Sequence, residues 1–544
     1  MKFQINKLLD KRDRMTGGFS KKKNTLWRSN KIFTSVLSLV LMVVSTFHIS
    51  AQEVVPQFKP GELDTNFGVG GKVTGTFMAA TELAIQKDNK IVVGGFGSVD
   101  LARFLPDGAL DTTFSNDGKV EGLISTIQDI AIQSDGKILI AGFQGGGSST
   151  DFGLARYNAD GTPDNTFGNG GVATVDFFGL NDQVTAIAIQ TDGRIVVGGR
   201  ATISQTATDF GLVRFTATGT LDPTFGVGGK INTQIYSAPG ESENFEEVHD
   251  LAIQPDGRIV AVGVSDIRLS YARYLTNGSL DGSFAIGGKA ILPLNSSSAA
   301  HSIALLSDGG ILIGGGIGQN GFDFLLMRVL ANGTPDLAFG NGGKVITDFG
   351  IVGGTDFGYS LAVLADGRIL QAGMANMANV NDSVYRDFAL VCYKADGSLD
   401  TTFGNGGKIT TDFFSNEDEA RAIALQSNGR AIVAGRVKSA QSGFGLAAYA
   451  LGENTSQNEP QIQSVQVKGK KLLVTGVNFE SPTEIYVNGE RQKKTANDID
   501  NPTTLVIAAK SGRWIAPGQT VMIQVKNTAS GKVSSEIMYT RPLE

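Results

Sequence analysis

Residues 397–408 read Gly-Ser-Leu-Asp-Thr-Thr-Phe-Gly-Asn-Gly-Gly-Lys, and variants of this phrase occur seven times between residues 63 and 451. The phenylalanine recurs as Phe67, Phe114, Phe167, Phe225, Phe284, Phe339 and Phe403, at intervals of 47, 53, 58, 59, 55 and 64 residues. Three residues before each stands an aspartate (Asp64, Asp111, Asp164, Asp222, Asp281, Asp336, Asp400), and four after it a glycine (Gly71, Gly118, Gly171, Gly229, Gly288, Gly343, Gly407). A period of that length belongs to stacked supersecondary units, not to an active-site motif.

Within each unit the pattern is that of strands. Ile187, Ala188 and Ile189 run into the Asp192-Gly193 turn, and the β-branched run Ile195–Val197 leaves it, which reads as a hairpin. Its counterparts are Asp88-Asn89, Asp135-Gly136, Asp256-Gly257, Asp308-Gly309, Asp366-Gly367 and Asn428-Gly429. Four residues before every turn lies an alanine (Ala84, Ala131, Ala188, Ala252, Ala304, Ala362, Ala424), and seven after its first member a glycine (Gly95, Gly142, Gly199, Gly263, Gly315, Gly373, Gly435). Large aliphatics on one strand face and an obligatory alanine on the other imply burial on both faces against a close neighbour. Further strands follow the Gly71-type glycine (Lys72-Val73, Lys344-Val345, Lys408-Ile409) and occupy Phe152–Tyr157, Phe210–Phe215 and Phe388–Tyr393. Four strands in each of seven units predict a seven-bladed β-propeller. A β-solenoid is the alternative, but its coils are shorter and it needs distinct end caps.

The phrases G-x-L-D-x-x-F-x-x-x-G-K, A-I-Q-x-D-G-K-I-V-V-G-G and L-A-R-Y resemble the delta-60 repeat family of bacterial proteins over residues 63–451. The resemblance implies a propeller-like fold in exported or surface proteins and supplies no catalytic residues. The arginine of the L-A-R-Y strand (Arg103, Arg156, Arg214, Arg273, Arg328) becomes Cys392 and Ala448 in the last two copies, and the lysine after the glycine is Val172 in the third.

Residues 1–31 carry ten Lys or Arg against two Asp, and the apolar run 32–49 ends in Ser50 and Ala51. Residues 1–51 therefore read as a secretory signal peptide cleaved near Ala51, with Met15 as an alternative start and a retained anchor as the competing reading. No cysteine follows the run to carry a lipid. Removing ten basic and two acidic residues from totals of 47 and 53 leaves 37 and 51, a net charge of −14. Such a chain repels phosphate backbones and anionic lipid, so no nucleic-acid partner is expected. The single cysteine, Cys392, precludes an intrachain disulfide. The expectation is a secreted, cell-surface or periplasmic monomer with no transmembrane span in the mature chain.

Residues 452–459, GENTSQNE, lack apolar side chains and precede Pro460, which reads as a linker. Beyond it, Leu472–Val474, Ile485–Val487 with the Asn488-Gly489 turn, Leu505–Ile507, Val521–Val525 and Ile537–Tyr539 have the spacing of a β-sandwich. The phrases KLLVTGVNF and IYVNG resemble the IPT/TIG immunoglobulin-like domain, so residues 460–544 are expected to form a small immunoglobulin-like sandwich.

The repeated aspartates invite a calcium reading. One aspartate per unit beside a turn fits an Asx turn, or an ion pair with the Lys72-type or Arg103-type residue, better, and no unit has D-x-D-x-D spacing. No cofactor is expected beyond the slight prospect of structural calcium. Gly145–Gly147 and Gly314–Gly316 lack a following G-K-[ST] and read as hairpin loops. His249 and His301 sit seven residues before their turns, where the other units hold Thr81, Gln128, Thr185, Tyr359 and Arg421. This predicts a ring of seven mostly polar, divergent side chains, with His249, His301, Tyr359 and Arg421 as the candidate ligand-binding set. A solvated strand end of no consequence is the competing reading. Connections of unequal length, short at 121–126 and long at 232–247 and 374–386, would share one end of the blades with this ring, where recognition resides on rigid scaffolds. The expected function is an exported non-enzymatic binding or adhesion module for an extracellular glycan or protein. The alternatives are a propeller hydrolase or lyase using Glu246, Glu247, Glu417 or Asp418 with Tyr359, Arg421 or His301, and a purely structural surface component.

Overall fold

The computed structural model describes residues 58–542, apart from 98, 100, 145–149, 237–244, 293–295, 320, 352, 379–383, 439–441, 453–459, 480, 499–503, 529–532 and 535. The expected leader, linker residues 453–459 and Gly145–Gly147 thus lie outside the described residues. The protein is all-β. Its one described helix is the single 3₁₀ turn Ser511–Trp514, and no helix is long and apolar enough to cross a membrane among the described residues.

Nine four-stranded antiparallel sheets are described. Seven are built from the repeats, and sheet three shows their plan. Its strands Gln183–Ile189, Ile195–Thr202, Thr208–Phe215 and Lys230–Thr233 pair in chain order. The first strands of the others are Met78–Ile85, Ser125–Ile132, Glu246–Ile253, Ser297–Leu305, Phe357–Val363 and Glu419–Gln426 for sheets one, two, four, five, six and seven. Each first strand packs beside the next, and Glu419–Gln426 packs beside Met78–Ile85, so the arrangement closes on itself as in a propeller. Sheet seven is completed from the other end of the chain: Lys72–Gly75 pairs with Ser442–Ala450, Lys72 opposite Ala447 and Gly75 opposite Phe444. The strand Ser442–Ala450 is therefore third of four in that sheet.

The repeat signature explains how the sheets hold one another. Each Phe67-type ring is at most 2% exposed, and Arg103, Arg156, Arg214 and Arg273 lie 4.3 to 4.6 Å over Phe114, Phe167, Phe225 and Phe284. The same guanidinium donates to the aspartate, as in Arg156 Nε to Asp164 Oδ2 at 2.7 Å, and reaches the next sheet, as in Arg156 Nη1 to the Ala217 carbonyl at 2.6 Å. The other oxygen closes the Asx turn, accepting the Thr166 N–H at 3.1 Å. Both readings of this aspartate hold together. Where the arginine is lost, the basic residue after the hairpin turn, which also reaches the aspartate in intact copies such as Arg194 with Asp222 at 3.1 Å, is left as its partner: Arg368 lies 3.5 Å from Asp400 and Arg430 pairs with Asp64. Cys392 takes the vacated place, its thiol pushed up to about 12 by burial. The Lys72-type residues are not the carboxylate's partners; Lys72 Nζ donates to the Asp412 carbonyl at 2.7 Å and Lys408 Nζ to that of Asp348 at 3.0 Å.

Two expectations are corrected. Gly314–Gly316 is no loop but the buried middle of strand Ile311–Gly318, for a reason given below. The long connection at 374–386 is mostly strand, since Ile369–Ala378 and Val384–Tyr393 continue the hairpin outward. The alanines are part-buried, with Ala84 against the core between sheets one and two and Ala188 against that between sheets three and four.

The C-terminal residues form two sheets, one of Gln461–Lys468, Lys471–Val477, Leu505–Ala508 and Thr495–Asn497, the other of Glu490–Arg491, Thr483–Val487, Thr520–Asn527 and Ile537–Thr540. Leu472, Val474 and Val506 of the first share one core with Ile485, Ile523 and Val525 of the second, which makes a two-layer packing. All five expected strands are present, and Asn488 and Gly489 both take positive φ in their turn.

Candidate functional site

The seven first strands share a defect. In each, the pairing register with the second strand slips by one residue, at Thr81, Gln128, Thr185, His249, His301, Tyr359 and Arg421. These are the seven predicted ring positions, and each is a β-bulge. A bulged residue is released from the ladder and its side chain re-aimed. All seven line one cavity of about 520 Å³ on the inner side of the sheets.

The obligatory glycine is the other half of the device. A Cβ at Gly315 would collide with the Ala299 carbonyl oxygen, and at Gly95, Gly199, Gly263, Gly373 and Gly435 with the equivalent carbonyl of the first strand. The bulge pushes that carbonyl into space that only a residue without a side chain leaves open. At Gly315 this close approach, not a turn, requires glycine, while a Cβ at Gly314 or Gly316 would meet packed side chains of Ser302, Leu361 and Phe357.

Because the bulge breaks the two-residue alternation, the next residue also faces the cavity. Glu82, Asp129, Asp250, Ser302 and Ser360 line it beside the ring. None of these was anticipated, since regular alternation sends neighbours to opposite faces; the signal available was the recurrence of acids one residue past the ring position. Asp129 accepts the Ile130 N–H at 2.6 Å and, from sheet three, the Ile187 N–H at 2.5 Å. Asp250 does the same with Leu251 at 2.7 Å and, from sheet five, Ile303 at 2.9 Å. Burial pushes Asp129 up to about 8, with the Asp250 charge adding to it, and Asp250 up to about 7. Glu82 is raised by burial and by Asp129.

Along one arc, the four candidate residues touch in series. The His249 and His301 rings stack at 4.3 Å, His301 meets Tyr359 edge-on at 5.4 Å, and the Arg421 guanidinium lies 4.3 Å from the Tyr359 ring centre. His249 Nδ1 carries the proton, since it donates to the Ala300 carbonyl at 2.6 Å, and Glu247 lies 3.9 Å from its Nε2. Burial, with His249 and Arg421 nearby, holds His301 well below its ordinary value. Arg421 and Arg386 bind Glu419 at 2.5 and 2.8 Å; burial alone would raise Glu419, and the two guanidinium groups hold it low. On the other arc, Thr81 and Thr185 spend their hydroxyls on the Ile127 and Val248 carbonyls of the next sheet, both at 2.6 Å. Of the four carboxylates named for a hydrolase, only Glu247 lines the cavity. Glu246 is buried, accepting the Ile235 and Tyr236 N–H groups, Asp418 is buried likewise, and Glu417 pairs with Lys438 at 3.0 Å.

These carboxyls set a pH dependence whose sign follows from where the proton sits. Asp129 and Asp250 keep protons in the fold up to about 8 and 7, whereas in an unfolded chain they ionise near 4. Between those limits the unfolded state releases protons first, so stability falls as pH rises. His301 acts oppositely below pH 6.5, because the unfolded imidazole gains a proton that the folded one refuses. The protein is expected to melt at a higher temperature at pH 6 than at pH 8.5, and the Asp129→Asn/Asp250→Asn variant to show a smaller difference. An unchanged difference in that variant would place the titration elsewhere.

A family described as a domain of unknown function (DUF5122), beta-propeller, matches residues 86–114, 133–167, 190–225, 254–284, 306–339 and 364–403. With the sheets above, this makes the chain a β-propeller repeat protein. No curated relative matches it. Solved structures similar to it include virginiamycin B lyase from Staphylococcus aureus, at 9% identity over 69% of this chain and 98% of that one, TM-score 0.39. A glucose dehydrogenase is 12% identical over 55% of this chain and 96% of that one, TM-score 0.34. An alpha-L-arabinanase of Penicillium chrysogenum, complexed with arabinobiose, is 12% identical over 60% and 92%, TM-score 0.32.

Proposed function

We propose that the chain is an exported, non-enzymatic binding module, a seven-bladed propeller followed by an immunoglobulin-like sandwich, that takes a neutral carbohydrate in its axial cavity. The observation that carries this reading is the convergence of one side chain from every sheet on one cavity, with aromatic rings in series on one arc and carboxyls that burial pushes up beside them. Aromatic edges and uncharged donors suit a polyhydroxylated ligand, and about 520 Å³ lies within the ~300–1,000 Å³ of small-molecule sites. Export is supported by the basic and apolar composition of residues 1–51, and secretion, the cell surface or the periplasm is the proposed location.

A hydrolase is the second reading, favoured by Asp129, whose raised pKa is what a general acid needs. Against it, both Asp129 oxygens already accept backbone N–H groups. The test is an array of neutral oligosaccharides probed with the chain lacking residues 1–51, alongside Tyr359→Ala/Arg421→Ala. The double variant is expected to melt cooperatively and lose at least tenfold in affinity for any glycan the parent captures. Unchanged capture would move recognition away from the ring, and release of reducing sugar that Asp129→Asn abolishes would favour the hydrolase.

A further inference from the structure

Three acidic triads lie away from the axial cavity: Asp151, Asp176 and Asp182; Asp323, Asp348 and Asp356; and Asp387, Asp412 and Asp418. In each, one oxygen from every residue lies within 4.8 Å of the others. The triads are the same place in three repeats. The first member lies at or near the start of a third strand, the second directly follows the fourth strand of that sheet and stands 25 residues after the first each time, and the third immediately precedes the first strand of the next sheet. Each triad therefore straddles a seam between sheets.

We propose that these triads are calcium sites that clamp adjacent sheets together. The sixth-sheet triad carries the argument. Asp387 is 4% exposed, yet its Oδ1 has no hydrogen-bond partner among the described residues. The equivalent Oδ1 of Asp151 in the first triad is likewise buried and unpartnered. A buried carboxylate oxygen left without a donor is costly unless a cation or proton meets it. Asp418 is oriented by its backbone partners, accepting the Phe413 N–H at 2.8 Å and the Lys438 N–H at 3.2 Å, and Asp182 and Asp356 are held in the same way by Phe177 with Thr202 and by Phe349 with Asn376. Three carboxylates held this way present a dense, oxygen-only ligand set. That chemistry selects a hard divalent cation, and an irregular all-carboxylate cluster suits calcium over the strict octahedron of magnesium. Sheet four is the internal contrast: Arg268 stands at the Asp387 position, and no triad forms there among the described residues.

The test is calorimetric titration of calcium into chelator-treated full chain at pH 7.5, with melting curves in parallel. Saturable binding of up to three ions per chain and a rise of several degrees in Tm are expected, with Asp387→Asn removing one ion. If Asp387→Asn does not fold, Asp151→Asn, at the more exposed triad, is expected to remove one ion in its place. No heat and no Tm shift at about 10 mM calcium, roughly tenfold above the weakest extracellular calcium modules, would overturn the proposal. So would full stoichiometry in the folded variant, or an equal response to magnesium.

Discussion

Deletion of residues 58–76 is expected to abolish cooperative folding, although it removes none of the 27 other repeat strands. Those residues supply the outer strand of sheet seven and more. Gly61 N–H donates to the Ala450 carbonyl at 2.7 Å, Asp64 N–H to that of Ala448 at 2.9 Å, and Ala448 N–H returns a bond to Gly71 at 3.0 Å. Phe67 is wholly buried, and loss of such a ring alone costs about 3–5 kcal/mol, a large part of a domain's ~5–15 kcal/mol. The deletion would also leave Ser442–Ala450 as an uncovered edge, a template for association. Gel filtration should show aggregates, and circular dichroism a melting temperature lower by 10 °C or more or no transition. A monomer with an unchanged melting curve would mean that the sheets do not close.

Gly315→Ala is expected to be among the most destabilising single-methyl additions in the protein, by about 3 kcal/mol or more, because the collision is with backbone and no rotamer relieves it. Its Cβ would meet the Ala299 carbonyl, with Ala300 Cα 3.1 Å away. Gly282 is the control, since a Cβ there meets nothing within 4 Å and its φ is not positive. Gly282→Ala should change stability by no more than about 0.5 kcal/mol. Chemical denaturation of both variants measures the contrast, and equal midpoints would refute the role assigned to the bulge.

The sequence made the repeat, the hairpins and the divergent ring position legible because each recurs at a fixed offset from the Asp-Gly turn. It did so for His249, His301, Tyr359 and Arg421 without revealing that they touch. What stayed hidden depends on broken periodicity or distant pairing. Glu82, Asp129 and Asp250 face the cavity only because a bulge precedes them, and a two-residue alternation assigns them to the other side. The members of the Asp387 triad lie up to 31 positions apart and on two sheets, and no single copy of the repeat contains it. The pairing of Lys72 with Ala447 leaves no local trace at all, since each strand end reads alike whether its partner is adjacent or hundreds of residues away.

That last pairing imposes an order on synthesis. Lys72 leaves the ribosome 375 residues before Ala447, which at ~5–20 residues per second is roughly 20–75 s. For that whole interval, the earliest-made strand has no partner, and the chain presents an unsealed seam with apolar side chains on both of its lips. Whatever accompanies the nascent chain must shield that seam until residue 450 emerges, so a pause in translation late in the seventh repeat should be more damaging to yield than one between the second and third.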